Sequence, residues 1–214
     1  MYLPAHFEQN DPDALHQLIA AHPLATLIGS RGESLCVEHL PLRWHCGNPQ
    51  LSAGLIGHVA RANEVWRALP DGSRVTAIFH GPQAYVSPSW YPSKREHGKV
   101  VPTWNYAVVH VEGRVHWTSD AASMHAILEA LTDTHESPRE RPWSVDDAPA
   151  DYTAAMMRAI VGLRIDVESM RGKFKLSQNR NSTDRDGVIA GLSNEQADNA
   201  VSLAQMMRSS GGGQ

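Results

Sequence analysis

Trp104-Asn-Tyr-Ala-Val-Val-His-Val-Glu-Gly-Arg-Val-His-Trp-Thr118 is the longest stretch of the chain that reads as a strand. In an extended chain Tyr106, Val108 and His110 share one face and Ala107, Val109 and Val111 the other. Glu112-Gly113 is placed for a bulge within it. Shorter strand signals lie on either side. Leu24 to Gly29 is a buried run. Leu35, Val37 and His39 alternate with Cys36, Glu38 and Leu40. Leu51 to Val59 is a run weakened by Gly54 and Gly57. Arg74 to His80 and Gln83 to Ser87 are two runs around Gly81-Pro82, and Leu163 to Ser169 alternates. Helical signals stand between them. Asp11 caps a first helix with Leu15, Leu18 and Ile19 on one face, and Asn63 to Leu69 is a short helix. Ser119 or Asp120 caps a third, with Met124, Ile127, Leu128 and Leu131 facing inward. Tyr152 to Val161 is helical, and Ser193 begins a last amphipathic helix with Gln196 placed for a capping box. Six or seven strands with inserted helices predict an α+β fold, mainly β, of barrel type. The strands do not alternate with long helices, which argues against a doubly wound parallel sheet.

The chain has 214 residues, 42% of them hydrophobic and 20% charged. That length buries a real core without a metal or disulfide. The net charge of −4 argues against a nucleic-acid binder that uses its whole surface, so DNA contacts would come from a local patch or from a dimer. No apolar run approaches the roughly 20 residues that cross a bilayer. Met1 to Asp11 lacks the cationic start and apolar core of a signal peptide. Cys36 and Cys46 lack CxxC spacing and read as reduced thiols, so a cytoplasmic protein is expected. No repeat or clean boundary appears. The expected division is a domain over 1–192, a C-terminal helix over 193–208 and a disordered Gly-rich tail over 209–214.

Three segments carry ligand chemistry. Gly57-His58-Val59-Ala60-Arg61-Ala62-Asn63 joins a strand to a helix. Free N–H groups at a helix start and a bidentate Arg61 make a phosphate cradle, though a capped helix with a surface arginine explains the same spacing. Trp90-Tyr91 and Trp104-Asn105-Tyr106 flank a Pro-rich loop; rings beside amides suit a flat heterocycle, or equally core or dimer packing. Lys173-Phe174-Lys175-Leu176-Ser177-Gln178-Asn179 offers phosphate and ribityl contacts, or is a solvated basic turn. The 12 histidines form no HExxH or Cys/His cluster, so no metal is expected. There is no P-loop, no GxGxxG and no nucleophile elbow.

In order, these and further stretches resemble the PaiB-like family of FMN-binding negative transcriptional regulators. The stretches are Met1-Tyr-Leu-Pro-Ala-His-Phe7, Pro23-Leu-Ala-Thr-Leu27, His39-Leu-Pro-Leu42, Gly57 to Asn63, Ile78-Phe-His-Gly-Pro82, Ala84-Tyr-Val-Ser-Pro-Ser-Trp-Tyr91, Val101-Pro-Thr-Trp-Asn-Tyr106 and Gly172-Lys-Phe-Lys-Leu-Ser-Gln-Asn179. Glu64 departs from the pattern, at a position where the family often has proline.

The resemblance implies a split β-barrel related to flavin reductases and pyridoxamine-phosphate oxidases, with peripheral helices. It implies a bacterial homodimer with FMN at interfacial sites, repressing genes that include those for sporulation and degradative enzymes in some bacteria. By the same resemblance the FMN phosphate lies near His58, Arg61, Asn63 and the helix that follows. Lys173, Lys175, Ser177 and Gln178 close the site from the same or the partner subunit, and Trp104, Asn105 and Tyr106 wall the isoalloxazine. Promoter DNA would be met by the basic stretch Arg171 to Arg185, since no helix-turn-helix stands out. The alternative on the same fold is a small FMN-dependent oxidoreductase.

Overall fold

The computed structural model describes residues 1–49 and 51–210. In chain order its strands are β1 (Glu8–Gln9), β2 (Leu24–Arg31), β3 (Ser34–Pro41), β4 (Arg43–His45), β5 (Gly54–Ala60), β6 (Arg74–Val86), β7 (Thr103–Thr118) and β8 (Ile160–Lys175). Its α-helices are α1 (Pro12–Ala21), α2 (Val65–Ala68), α3 (Ser93–His97), α4 (Ala121–Glu136), α5 (Ala150–Arg158), α6 (Ser182–Ser193) and α7 (Asp198–Ser209). The chain forms two compact units. One comprises Met1–Leu15, His80–Val109 and Arg171–Gln214, the other His16–Phe79 and His110–Met170. The long strands β6, β7 and β8 contribute residues to both.

In the second unit the strand order is β3-β2-β6-β7-β8-β5-β4. β2 pairs antiparallel with β3 and β6, and β5 with β4 and β8. Period-two alternation puts Ala25 and Leu27 of β2, and Val75, Ala77 and Phe79 of β6, inside. Both Leu55 and Ile56 of β5 are buried, because α4 covers the second face: Ile56 packs with Leu51, Ile127, Ala130 and Leu131. Asp120 starts α4 by accepting from Ser123 N at 2.9 Å. Gly113 lets β7 approach β8 closely, since a Cβ there would stand 2.1 Å from the Asp166 carbonyl oxygen.

In the first unit β1 pairs antiparallel with the end of β8, Glu8 opposite Lys173 and Gln9 opposite Gly172. Helices α6 and α7 pack together, with Val188, Ile189 and Leu192 on one and Ala200, Leu203, Ala204 and Met207 on the other, all buried.

Several boundaries differ from the sequence expectation. Gly81-Pro82 does not divide two runs: β6 is continuous over Arg74–Val86. Proline forfeits one ladder donor, but its φ is compatible with an extended chain. Lys173 and Lys175 belong to β8 and not to a turn, because pairing with β1 extends the strand. The tyrosine-led helix ends at Arg158, and Ile160–Val161 already pair with β5. The last helix does not begin at Ser193. Ser193 ends α6, its hydroxyl donating back to the Ile189 carbonyl at 2.6 Å, and α7 starts at Asp198 behind Ala197, without a side-chain cap. The tail expected to be disordered lies outside the described residues from Gly211 onward. Among the described residues no helix is long and apolar enough to cross a membrane.

Candidate ligand site

In the first unit the ends of β6, β7 and β8 bring together seven of the residues singled out in the sequence. Trp104 on β7 is 46% exposed, and its indole N–H donates to Gln83 Oε1 on β6 at 3.2 Å. The Tyr85 ring, also exposed, meets it edge-on at 6.5 Å. Two residues along, Tyr106 lies with its ring centroid 5.5 Å from the Lys173 ammonium. Strand alternation therefore sets Trp104 and Tyr106 beside Lys173 and Lys175.

Among the described residues neither lysine forms an ion pair with an acidic side chain. Lys173 is 9% exposed and donates to the Tyr2 backbone carbonyl at 3.0 Å. Lys175 donates to the Trp104 carbonyl at 2.8 Å and to the Thr103 hydroxyl. Arg180 lies over the Tyr91 ring at 5.1 Å. Among the described residues none of the three forms a salt bridge. Burial pushes the Lys175 pKa down, and the charges of Lys173 and Arg180 push it further. A cation held beside two others gains when an anion arrives.

Behind this face, Asn105 is fully buried. Its amide N–H donates to Ser177 Oγ at 2.8 Å, while its Oδ1 has no partner. Ser177 sits at φ +63°, the only non-glycine at positive φ among the described residues. Such strain costs about 1–3 kcal/mol and persists only where surroundings hold it. Gln178 does the holding: its Oε1 accepts from Leu176 N at 2.7 Å, and its Nε2 donates to the Phe174 carbonyl. The amide of Gln178 is thus occupied in shaping the turn.

The loop after β6 is fastened by Asp184. This buried carboxylate accepts from Ser93 N at 3.1 Å, Ser93 Oγ at 2.8 Å and Asn181 Nδ2 at 3.3 Å. Burial raises its pKa, but the Ser93 donors, the Arg180 charge and Asn181 outweigh that and hold it below the usual carboxylate range. Trp90 lies against α6 because Gly187 and Gly191 leave room. A Cβ at Gly191 would stand 2.3 Å from the indole. A cleft of about 600 Å³ runs beside Trp104, bounded by Gln83, Tyr85, Trp90, Glu195 and Asn199.

The remaining three residues lie in the second unit. Arg61 is a framework residue there: Nε donates to the Arg158 carbonyl at 2.7 Å, and Nη2 to the Ile160 carbonyl at 2.8 Å and Ser119 Oγ at 3.1 Å. It closes the C-terminal end of α5. Asn63 Oδ1 accepts from Val65 N at 2.9 Å, and its Nδ2 donates to Glu38 at 2.7 Å. His58 is half-buried on β5, with Nδ1 unpartnered and its pKa lowered by burial. Sequence reasoning missed Tyr2, Gln83, Tyr85 and Asp184 as parts of the first-unit site. The i, i+2 spacing of Gln83 and Tyr85 in a strand was the available signal for two of them.

Residues 1–169 match the family described as "Putative FMN-binding domain". The chain is 31% identical over 207 residues to "Protease synthase and sporulation protein PAI 2" of Bacillus subtilis, covering 97% of this chain and 96% of that protein. It is also 31% identical over 245 residues to an uncharacterised protein of Emericella nidulans, covering 99% and 98%. Among solved structures, the FAD and heme binding protein of Mycobacterium smegmatis superposes with a TM-score of 0.59 at 18% identity, over 86% of this chain and 80% of that one. The fold is the split β-barrel, mainly antiparallel with peripheral helices. The chain belongs to the "Putative FMN-binding domain" family, the PaiB-like family that its sequence resembles.

Proposed function

We propose that this protein is a cytoplasmic FMN-binding negative transcriptional regulator of the PaiB-like type, working as a homodimer. The observation that carries the flavin assignment is the pair Lys173 and Lys175, two cations without an acidic partner beside the rings of Trp104 and Tyr106. A flavin mononucleotide carries a dianionic phosphate on a flat aromatic system, the two features that this donor set complements. The unpartnered Asn105 Oδ1 and the strained Ser177 beside it fit a polar ligand site. His58, Arg61 and Asn63 stay in the proposal on the resemblance, since most of the polar groups of Arg61 and Asn63 already have partners in the chain. Bound FMN would supply a redox-active ring; the chain's residues bind and orient it. Tyr85, Val101 and Trp104 are large apolar side chains left exposed in the first unit, which supports the dimer.

A second reading, a small FMN-dependent oxidoreductase, is favoured by one observation. The basic stretch assigned to DNA is largely used inside the chain: Arg185 donates to the Met207 carbonyl and to Ser210 Oγ at 3.1 Å, and both lysines donate to carbonyls. FMN added to the purified protein should co-elute with it and show a shifted flavin absorbance. No shift and no co-elution would reject the flavin assignment. A gel-shift series at low salt beside anaerobic NAD(P)H bleaching separates the readings: a salt-sensitive retarded band supports the regulator, rapid bleaching without any band the oxidoreductase.

A further inference from the structure

Lys173 poses a problem for any ligand that is to use it. Its side chain is the anion donor that the site needs, yet the residue is only 9% exposed. The acceptor it holds is a backbone carbonyl from the segment before β1, Tyr2 O at 3.0 Å, and the same ammonium lies 5.4 Å from the Tyr2 ring and 5.5 Å from the Tyr106 ring. Tyr2 itself is 84% exposed, whereas Leu3 and Pro4 behind it are half-buried, so the contact with Lys173 is what holds the tip of the segment. The next internal tie of the segment is the turn in which Phe7 N donates to the Pro4 carbonyl at 2.9 Å.

We propose that the Tyr2 carbonyl is a resting substitute for a ligand phosphate oxygen on Lys173, and that Met1 to Leu3 form a strap that the phosphate displaces. This rests on the flavin reading above and adds how that site opens and which group it takes first. A neutral carbonyl makes a weaker bond to an ammonium than a phosphate dianion does, because the dianion adds the attraction between opposite full charges to the hydrogen bond itself. Lys173 also has three donors and one hydrogen-bonded acceptor, so a phosphate offers it more oxygens than the strap can. The exposed Tyr2 ring gives up little buried surface on leaving. Ligand entry and strap release are therefore one exchange at a single nitrogen.

The test reads the strap directly. Chymotrypsin cleaves after Tyr2, and Pro4 blocks cleavage after Leu3, so intact-mass spectrometry follows one bond in this segment. Saturating FMN is expected to speed cleavage after Tyr2 in the full chain, whereas riboflavin, which lacks the phosphate, leaves the rate unchanged. In Lys173→Met the strap has lost its donor, so cleavage is fast without ligand and FMN does not speed it further. A chain lacking Met1 and Tyr2, with Leu3→Met as its start, is expected to bind FMN about tenfold tighter or more, the worth of one competing hydrogen bond from a charged donor. Cleavage that FMN leaves unchanged or slows, or truncated protein that binds FMN no tighter than the full chain, overturns the strap. Should the full chain bind no FMN, the flavin reading fails, and Lys173→Met still shows whether Lys173 holds the segment. If the truncated chain does not fold, the cleavage comparison decides alone.

Discussion

Asp184 shows how much one side chain can organise. It is 4% exposed, accepts three hydrogen bonds, and ties Ser93 to the start of α6. Asp184→Ala leaves buried donors unsatisfied and is expected to cost about 1.5–3 kcal/mol, the range for hydrogen bonds to a charged group, measured by urea denaturation. Its folded pKa is depressed, so its contribution is present above the unfolded carboxylate value of about 3.9 and is lost as pH falls through the lower folded value. Acid unfolding monitored by Trp90 fluorescence should therefore begin at higher pH in Asp184→Asn than in the wild type. Lys175 works in the opposite sense on the alkaline side. Its lowered pKa means that flavin affinity should decline with rising pH earlier than an ordinary lysine near 10.4 would allow. Both lysines were visible in the sequence as cations within a ligand-competent segment. Their lack of acidic partners was not, because it depends on what distant strands bring up: Thr103 and Trp104 to Lys175, Tyr2 to Lys173.

At the scale of elements, helix α6 carries a conflict between local preference and packing. Gly191→Ala should stabilise an isolated helix by about 1 kcal/mol. In the folded chain its Cβ would stand 2.3 Å from the Trp90 ring, so the substitution is expected to destabilise by about 1–3 kcal/mol, the cost of overpacking, read as a lower urea midpoint. An unchanged or raised midpoint would contradict the docking of Trp90 on α6. Arg61 plays a comparable role between β5 and α5. Three donated hydrogen bonds at about 0.5–1.5 kcal/mol each give an expected loss of about 1.5–4.5 kcal/mol for Arg61→Ala. Lysine cannot reproduce the planar fork and should rescue little of it. The sequence segment Gly57 to Asn63 was open to two readings, a cradle and a capped helix. In the structure Asn63 accepts from Val65 N, while Glu64 at the N-cap of α2 makes no side-chain cap bond. Arginine use by carbonyls of a helix far along the chain has no local signature, which is why the spacing alone left both open. Strand β7 was legible from alternation, and β2 as a short buried run. The ends of β6 and β8 were not, because a proline and a run of cations mask pairing that only neighbouring strands supply.

For the whole molecule, the barrel type followed from short strands with inserted helices, and the split-barrel class came only with the resemblance of the ordered segments to the family. What neither strands nor segments revealed is the division into two units, because β6, β7 and β8 are continuous through both. The exposed aromatic region around Tyr85 and Trp104 leads to the expectation of a homodimer at micromolar concentration. Light scattering that reports only the 23.5 kDa chain would contradict it. The central claim is that a phosphate-bearing flavin is held by the lysines of β8. The measurement that meets it most directly is a pair of equilibrium titrations, FMN against riboflavin, on the wild type and on Lys175→Met. The account predicts that FMN binds at least tenfold tighter than riboflavin to the wild type, and that Lys175→Met removes most of that difference, as losing one charge-assisted hydrogen bond of about 1.5–3 kcal/mol requires. Equal affinity of the wild type for the two flavins, or a preference for FMN untouched by Lys175→Met, would contradict it.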